Sequence, residues 1–184
     1  MEALDALLNR CSYPKLKDPE PAPEQLENIY KAAFRAADHG VLRPWRFLLV
    51  RNEARERLGE LFVAASRRAT PDLDAEQEQK LRSKPLRAPL MIIVVSSPVK
   101  HPKVPEFEQD LSAAAAAQSM LVAAYAQGVG AMWRTGSLAY NRDVMSGLGL
   151  DAHEKIIGFL YLGAVDSADK NRPEPDLGNY FKTW

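Results

Sequence analysis

The sequence has little of the residue types that would define a chemistry by themselves. Its 184 residues include one cysteine, Cys11, and only three histidines. A single cysteine excludes an internal disulfide and a cysteine-rich metal site, and no two histidines stand four apart. The 24 lysines and arginines equal the 24 aspartates and glutamates. This balance argues against nucleic acid or an anionic membrane as partner, and a near-neutral surface favours a specific oligomer.

Several motifs are also absent. The first ten residues, MEALDALLNR, contain no apolar core of a signal peptide, and the expected location is therefore the cytoplasm. The sequence Gly128-Val129-Gly130 lacks the third glycine of a dinucleotide fingerprint and follows a predicted helix instead of preceding one. Neither a Gly-x-Ser-x-Gly motif nor a set of metal ligands is present, which argues against a serine hydrolase and a metalloenzyme.

What is present centres on residues 110–136. They predict a long helix over 112–127, a glycine turn at 128–130 and a short strand leading into Trp133-Arg134-Thr135-Gly136. Asp110 and Ser112 are the candidate N-caps of this helix. A helix that is apolar nearly all round is normally buried, and its run of five alanines lets another helix approach closely. That neighbour is either a helix of a second subunit or, in the alternative of an ordinary core helix, one of the same chain.

The other predicted elements complete an α+β domain. Strands are predicted at 47–50, 90–95, 130–135 and 156–162, and helices at 1–10, 24–37, 53–70 and 75–86, with a short one after Asn141. The continuous apolar run at 90–95 is typical of a central strand covered on both faces. The pattern predicts a single domain, 1–184, folded as a three-layer α/β/α sandwich whose strand order and direction stay open. The tail, 165–184, carries Tyr180, Phe181 and Trp184, and we expect these aromatic residues to dock on a surface.

Basic residues at the ends of elements are the candidate binding groups. Arg10 and Ser12, one residue apart after a predicted helix, can both bond one anionic oxygen. The others are Lys15, Arg35, Arg43, Arg46 and Arg134. The alternative for each of them is an ordinary surface charge.

At this point a family resemblance becomes visible. The segments MEALDALLNRCS, PEQLENIYKAAFRAADHGVLRPWRFLLV, WRTG and KIIGFLYLG occur in an order and spacing that resemble the nitroreductase family. The resemblance extends from Met1 to about Ala164. It implies a nitroreductase-like fold, with a mixed or antiparallel sheet around a long buried helix. It also implies an FMN-dependent oxidoreductase that is a homodimer, with its two flavins at the subunit interface. The aromatic residues of the tail, and not the resemblance, suggest a tail 165–184 that is exchanged between subunits.

The resemblance also implies the site residues. Those for FMN are Arg10, Cys11, Ser12, Lys15, Trp133, Arg134 and Thr135, together with Arg35 and His39 from the opposite subunit. Those for NAD(P) are Ala123, Ala124, Tyr125, Ala126, Gln127 and Gly128. Lys170 and Arg172 are further candidates for the flavin phosphate. Cys11 departs from the family pattern, which has arginine there, and the lost charge predicts weaker FMN binding.

The implied reaction is a ping-pong hydride transfer from NADPH or NADH through flavin N5 to a small conjugated acceptor, such as a nitroaromatic or a quinone. Reduction leaves negative charge near flavin N1 and O2, and a nearby cation stabilises it. Arg10, Lys15 and Arg134 are candidates for this role. The flavin carries the chemistry, so no catalytic acid or base is named. Two alternatives remain: an FMN-binding storage or sensor dimer without turnover, and a partner-binding domain without cofactor.

Overall fold

The computed structural model describes residues 1–165 and 173–184. Four strands form one sheet in the order β1-β2-β4-β3, and every neighbouring pair is antiparallel. The strands are β1 (Trp45–Arg51), β2 (Leu90–Ser96), β3 (Gly130–Arg134) and β4 (Lys155–Gly163). The helices are α1 (Ala3–Asn9), α2 (Pro23–Ala33), α3 (Glu53–Ala69), α4 (Ala75–Ser83), α5 (Glu106–Ala126), α6 (Ser137–Tyr140) and α7 (Arg142–Gly147). Three 3-10 turns lie at His39–Val41, Lys84–Arg87 and Leu177–Asn179.

The predicted central strand is confirmed. All seven residues of β2 are buried, and β2 lies between β1 and β4. Its β-branched run has apolar neighbours on both faces of the sheet. An antiparallel strand with one solvent-exposed face would instead alternate apolar and polar residues. The register pairs Ile93 with Leu48 of β1 and with Phe159 of β4.

Helices cover both faces of this sheet. On one face, α2 and α5 pack against Ile92, Leu160 and their neighbours. On the other, α3, α6 and α7 pack against Ile93, Phe159 and their neighbours. The described residues therefore form the α/β/α layers that the sequence predicted, and the sheet they contain is antiparallel.

The start of the long helix was predicted wrongly. Helix α5 begins at Glu106, directly after Pro105, and not at Ser112. Asp110 and Ser112 lie inside it and are not N-caps. The Asp110 carboxylate accepts hydrogen bonds from Ser96 Oγ and Lys155 Nζ, both at 2.6 Å. Its side chain therefore ties the helix to the ends of β2 and β4.

The end of α5 follows the prediction closely. The helix ends at Ala126, and Gly128 has a φ of 74°, which glycine adopts without strain. Val129 N–H donates to Ala124 O at 2.9 Å, which closes the last turn. The glycine turn between helix and strand is therefore confirmed.

Two further boundaries differ from the prediction. Helix α2 ends at Ala33, four residues before the predicted end at residue 37, and the 3-10 turn His39–Val41 follows it. Helix α4 begins with a capping box between Asp74 and Gln77 and ends at Ser83, before the predicted residue 86, where the 3-10 turn Lys84–Arg87 follows. Most of its side chains are exposed, as in a solvated outer helix. Glu78 is 9 % exposed and pairs with Arg67 of α3. Ion pairs thus fasten α4 onto α3.

Several large apolar side chains stay exposed in the protomer. In α1 these are Leu4, Leu7 and Leu8, and in the tail they are Leu177, Tyr180, Phe181 and Trp184. The described part of the protomer therefore offers the tail aromatics no docking surface. Among residues 1–165 and 173–184, no helix has both the length and the hydropathy that crossing a bilayer requires.

Candidate functional site

A cavity of about 450 Å³ opens where the end of β3 turns into α6, on the face of the sheet covered by α3. Its volume lies in the usual range for small-molecule sites. Three of the residues predicted to contact the flavin, Trp133, Arg134 and Thr135, line it. The other lining residues are Phe62, Lys84, Arg87, Met132, Gly136, Ser137, Leu138, Phe159 and Tyr161.

The charge of this cavity is positive. Lys84, Arg87 and Arg134 all line it, and within the described chain none of the three forms an ion pair with a carboxylate. Instead, the Arg134 guanidinium carbon lies 5.9 Å from the centroid of the Tyr161 ring. Cations left without a counter-charge beside a cavity are suited to an anionic or electron-rich ligand.

The cavity is also partly desolvated. Burial, and then the positive charge of Arg87, lower the pKa of Lys84. Burial raises the pKa of Tyr161, although the nearby Arg87 and Arg134 act in the opposite direction. Because water screens charges less here than at an open surface, the cations act more strongly on whatever the cavity holds.

A glycine in the neighbouring strand makes room for Trp133. A β-carbon at Gly158 of β4 would overlap the Trp133 ring at Nε1 and Cδ1. Glycine inside an apolar strand often marks such a close approach. The half-buried indole therefore lies against the backbone of β4, on the sheet face that α2 and α5 cover, while the side chain of Arg134 lies on the cavity face.

The N-terminal candidates lie beside the same edge strand. Tyr13 N–H donates to Ala131 O of β3 at 3.0 Å, so that residues 10–12 lead directly onto the outer edge of β3. Arg10, Cys11 and Ser12 are half-buried there, and Lys15 follows them exposed. The structure thus brings these predicted residues to the strand that carries Trp133 and Arg134.

Arg35 and His39 lie elsewhere. Both are exposed after the end of α2, and neither lines the cavity of its own protomer. His39 Nδ1 is 2.6 Å from Glu108 Oε2 in the first turn of α5. Their predicted contact with a flavin of the opposite subunit stays a prediction.

The segment predicted to contact NAD(P), residues 123–128, lies at the opposite end of β3 from the cavity. Ala124 is fully buried, and Gln127 joins α5 to α2. Gln127 Nε2 donates to Gln25 O at 3.2 Å, and Gln127 Oε1 accepts from Asn28 Nδ2 at 2.9 Å. The polar groups of Gln127 therefore serve helix packing in this protomer, and the NAD(P) assignment stays a prediction.

Sequence reasoning missed two of the three cavity cations. Lys84 and Arg87 belong to the 3-10 turn that leads through Ala88 and Pro89 into β2. Their signal was visible: basic residues three apart, directly before a central strand, lie at the edge of the sheet. Lys170 and Arg172, the phosphate candidates in the tail, fall outside the described residues.

Arg46, grouped with the candidate binding residues, has a structural role instead. Its Nε and Nη2 donate to the two oxygens of Glu154, each at 2.6 Å, and Nη2 also donates to Gly149 O. This pairing, with help from Asp151 N–H, lowers the pKa of Glu154 to about 2. Glu154 is 2 % exposed, so the pair fixes the loop before β4 against β1.

Two further observations bound the chemistry of the described residues. Within 1–165 and 173–184, no three His, Cys, Asp or Glu side chains cluster closely enough to hold a metal ion. The described cavity wall contains neither a carboxylate nor an imidazole. The groups available to act on a ligand are therefore cations, aromatic rings, hydroxyls and backbone amides.

Comparison with known proteins identifies the family. Residues 7–164 match the nitroreductase family. The protein named "Putative NAD(P)H nitroreductase YdjA" from Escherichia coli K12 is 41% identical over 178 residues, which cover 95% of this chain and 96% of that protein. A nitroreductase-like family protein from Bacillus cereus has the same fold, with a TM-score of 0.85 at 22% identity, covering 100% of this chain and 96% of that one. A Desulfovibrio desulfuricans structure described as a "putative nitroreductase in complex with FMN" has a TM-score of 0.73 at 21% identity, covering 100% and 97%. The chain therefore belongs to the nitroreductase family, a family of oxidoreductases.

Proposed function

We propose that this chain is an FMN-dependent NAD(P)H oxidoreductase that acts as a homodimer. It transfers hydride in ping-pong fashion from NADPH or NADH to a nitroaromatic, a quinone or a similar conjugated acceptor. The observation that carries the proposal is the cavity at the end of β3. Lys84, Arg87 and Arg134 line it beside aromatic side chains, and none of the three pairs with a carboxylate of the described residues. The E. coli relative is named for NAD(P)H, and the D. desulfuricans structure contains FMN.

The residues present fit this cofactor. Arg134 and Lys84 supply positive charge beside the aromatic ring of Tyr161, which suits a planar ring that becomes electron-rich. Arg10 and Ser12, on the adjoining edge of β3, supply donors for a phosphate, and Lys15 adds charge nearby.

When bound, FMN supplies a ring that takes hydride from reduced nicotinamide and passes it to the acceptor. The chain's own groups do the rest. Lys84, Arg87 and Arg134 stabilise negative charge that develops on the ligand. Phe159 and Tyr161 exclude water from one side of the cavity and so strengthen those electrostatic interactions. No catalytic acid or base is assigned.

The homodimer rests on exposed apolar surface and on the placement of two predicted site residues. Leu4, Leu7 and Leu8 of α1 are 61–75% exposed, and Phe107 and Leu111 of α5 are also exposed. Such patches mark interaction surfaces. Arg35 and His39, which do not line their own cavity, are proposed to reach the flavin of the partner. For NAD(P), the proposed contacts stay at residues 123–128, where Tyr125 and Ala126 are half-exposed.

A visible absorption spectrum tests the proposal. The purified chain, incubated with FMN and desalted, is expected to retain a flavin spectrum that NADPH or NADH bleaches under anaerobic conditions. An acceptor such as a nitroaromatic or a quinone is expected to restore the spectrum. A chain that stays colourless contradicts the proposal. A flavin that binds but is not bleached supports a storage or sensor dimer, for which the missing arginine at Cys11 is the relevant feature.

A further inference from the structure

The 3-10 turn Lys84–Arg87 carries two of the three cavity cations, and helix α3 holds it on both sides. The turn lies between α4 and β2, and ion pairs fasten α4 onto α3. Arg82, two residues before Lys84, donates from Nε to Glu60 Oε1 at 2.7 Å. The position of the turn therefore depends on α3 as well as on the sheet.

Before the turn, the contact is between backbones. A β-carbon placed on Gly59 of α3 would lie 2.6 Å from Arg82 O and 3.1 Å from Arg82 Cα. Any side chain at this position would push the backbone of Arg82 outward, and Lys84 follows two residues later. Glycine is disfavoured in the middle of a helix, so the close approach is a physical reason for its presence there.

After the turn, the contact is a hydrogen bond. Arg55 Nη1 donates to Ala88 O at 3.0 Å, one residue beyond Arg87. The same guanidinium donates from Nε to Asn52 O at 3.4 Å. Arg57, two residues further along α3, only approaches Glu53 at 4.0 Å on the exposed side of the helix.

We propose that Arg55 and Gly59, which we call the α3 clamp, are positioning residues that set how closely Lys84 and Arg87 approach a flavin in the cavity. Through those two cations the clamp sets the redox potential of the bound flavin. This inference rests on the proposed function. Its physical basis is that the stabilisation of negative charge by a cation depends on their separation, and more steeply where water is excluded.

The test uses the FMN-loaded full-length protein and compares three variants with one control. The clamp variants are Arg55→Met and Gly59→Ala, the reference is Lys84→Met, and the matched control is Arg57→Met. Two quantities are measured: the midpoint potential of the bound flavin, and the Kd for FMN obtained from quenching of flavin fluorescence by the apoprotein. Thermal unfolding of each apoprotein shows whether a variant is folded.

We expect Lys84→Met to lower the midpoint potential by about 30 mV, which corresponds to a tenfold loss of preference for the reduced flavin in a two-electron couple. Arg55→Met and Gly59→Ala are expected to lower it by about 15 mV, or roughly threefold, while Arg57→Met leaves it unchanged. If Gly59→Ala does not fold, Arg55→Met carries the test alone.

A double-mutant cycle separates positioning from a merely structural effect. In a Lys84→Met, Arg87→Met background, Arg55→Met is expected to produce no further shift in potential, because the cations through which it acts are gone. A shift that persists in this background overturns the inference. The inference is also overturned if both clamp variants keep the wild-type potential while Lys84→Met lowers it. The proposed function then stays intact. If Lys84→Met changes neither potential nor Kd, the cavity is not the flavin site and the inference fails, whereas the proposed function fails only if the chain retains no flavin that reduced nicotinamide bleaches.

Discussion

Arg46 and Arg134 lie on the two edge strands of the sheet, β1 and β3, and their surroundings are opposite. Arg46 on β1 donates twice to Glu154, whose carboxylate is almost fully buried. Arg134 on β3 has an aromatic ring at 5.9 Å and, within the described residues, no carboxylate. Where the carboxylate of a pair is buried, removing one partner leaves the other charge uncompensated, so the pair is required for stability. A cation beside a cavity and without a counter-ion is available to a ligand. The comparison therefore predicts that substitutions at the first site affect folding and those at the second affect binding.

The largest effect is expected from breaking the pair at β1. Glu154→Gln leaves the Arg46 guanidinium partly buried without a counter-charge and is expected to lower the free energy of unfolding by about 3 kcal/mol. Urea unfolding of the apoprotein measures it. Glu53→Gln, which removes an exposed partner 4.0 Å from Arg57, is the control and is expected to cost less than about 0.5 kcal/mol. A loss no greater than that of the control would contradict the structural role of the pair.

The same pair predicts how stability depends on pH. The pKa of Glu154 is lowered from 4.5 to about 2 in the folded chain. Its contribution is therefore complete above about pH 4.5 and is lost as the pH falls towards 2, by on the order of 2 kcal/mol. Urea unfolding between pH 2.5 and 6 measures this slope in the wild type and in Glu154→Gln. Equal slopes in the two proteins would assign the acid sensitivity to other carboxylates.

The cavity at β3 is expected to show the opposite pattern. Arg134→Met is expected to raise the Kd for FMN about tenfold, which corresponds to about 1.4 kcal/mol of binding energy. The free energy of unfolding of the apoprotein is expected to change by less than about 0.5 kcal/mol, because no described ion pair is lost. Flavin fluorescence measures the Kd for FMN and urea unfolding measures the free energy of unfolding, and Arg57→Met is the control for both. A large loss of stability with unchanged Kd would reverse the comparison.

Lys155 sharpens the comparison with a smaller effect. It pairs with Asp110 at 2.6 Å, and its side chain is 41% exposed. Being paired, it should behave like Arg46, but its partner Asp110 is more exposed than Glu154, which limits the energy. Lys155→Met is therefore expected to lower the free energy of unfolding by about 0.5–1 kcal/mol and to leave the Kd for FMN unchanged. A raised Kd for FMN would show that pairing with a carboxylate does not by itself separate structural cations such as Arg46 from ligand-binding cations such as Arg134.

Features that depend on local chemistry could be predicted from the sequence. The Asp74–Gln77 capping box, the Asn141 cap of α7 and the left-handed turn at Gly128 each follow from residues within a few positions. The buried strand β2 followed from its unbroken apolar run. The start of α5 was missed because the alanine run looked more helical than the acidic turn after Pro105.

Features that depend on distant partners could not be predicted in the same way. Arg46 was grouped with the candidate binding residues because Glu154, 108 positions later, gives no local sign of neutralising it. Lys84 was missed for the converse reason, since its role depends on reaching the same cavity as Arg134. The placement of Trp133 against Gly158 likewise depends on the pairing of β3 with β4. The family resemblance supplied Trp133 and Arg134, but it did not supply the cations contributed by the turn before β2.

The missing side chain at Gly158 has a consequence for recognition. Because the backbone of β4 supports the indole of Trp133 from behind, the ring has little freedom to turn before a ligand arrives. A planar ligand that reaches the indole therefore meets a ring whose orientation is already fixed. The rotamer entropy of Trp133, whose loss would otherwise oppose binding, has been lost during folding. Selectivity for flat molecules would then be a property of the strand pairing itself.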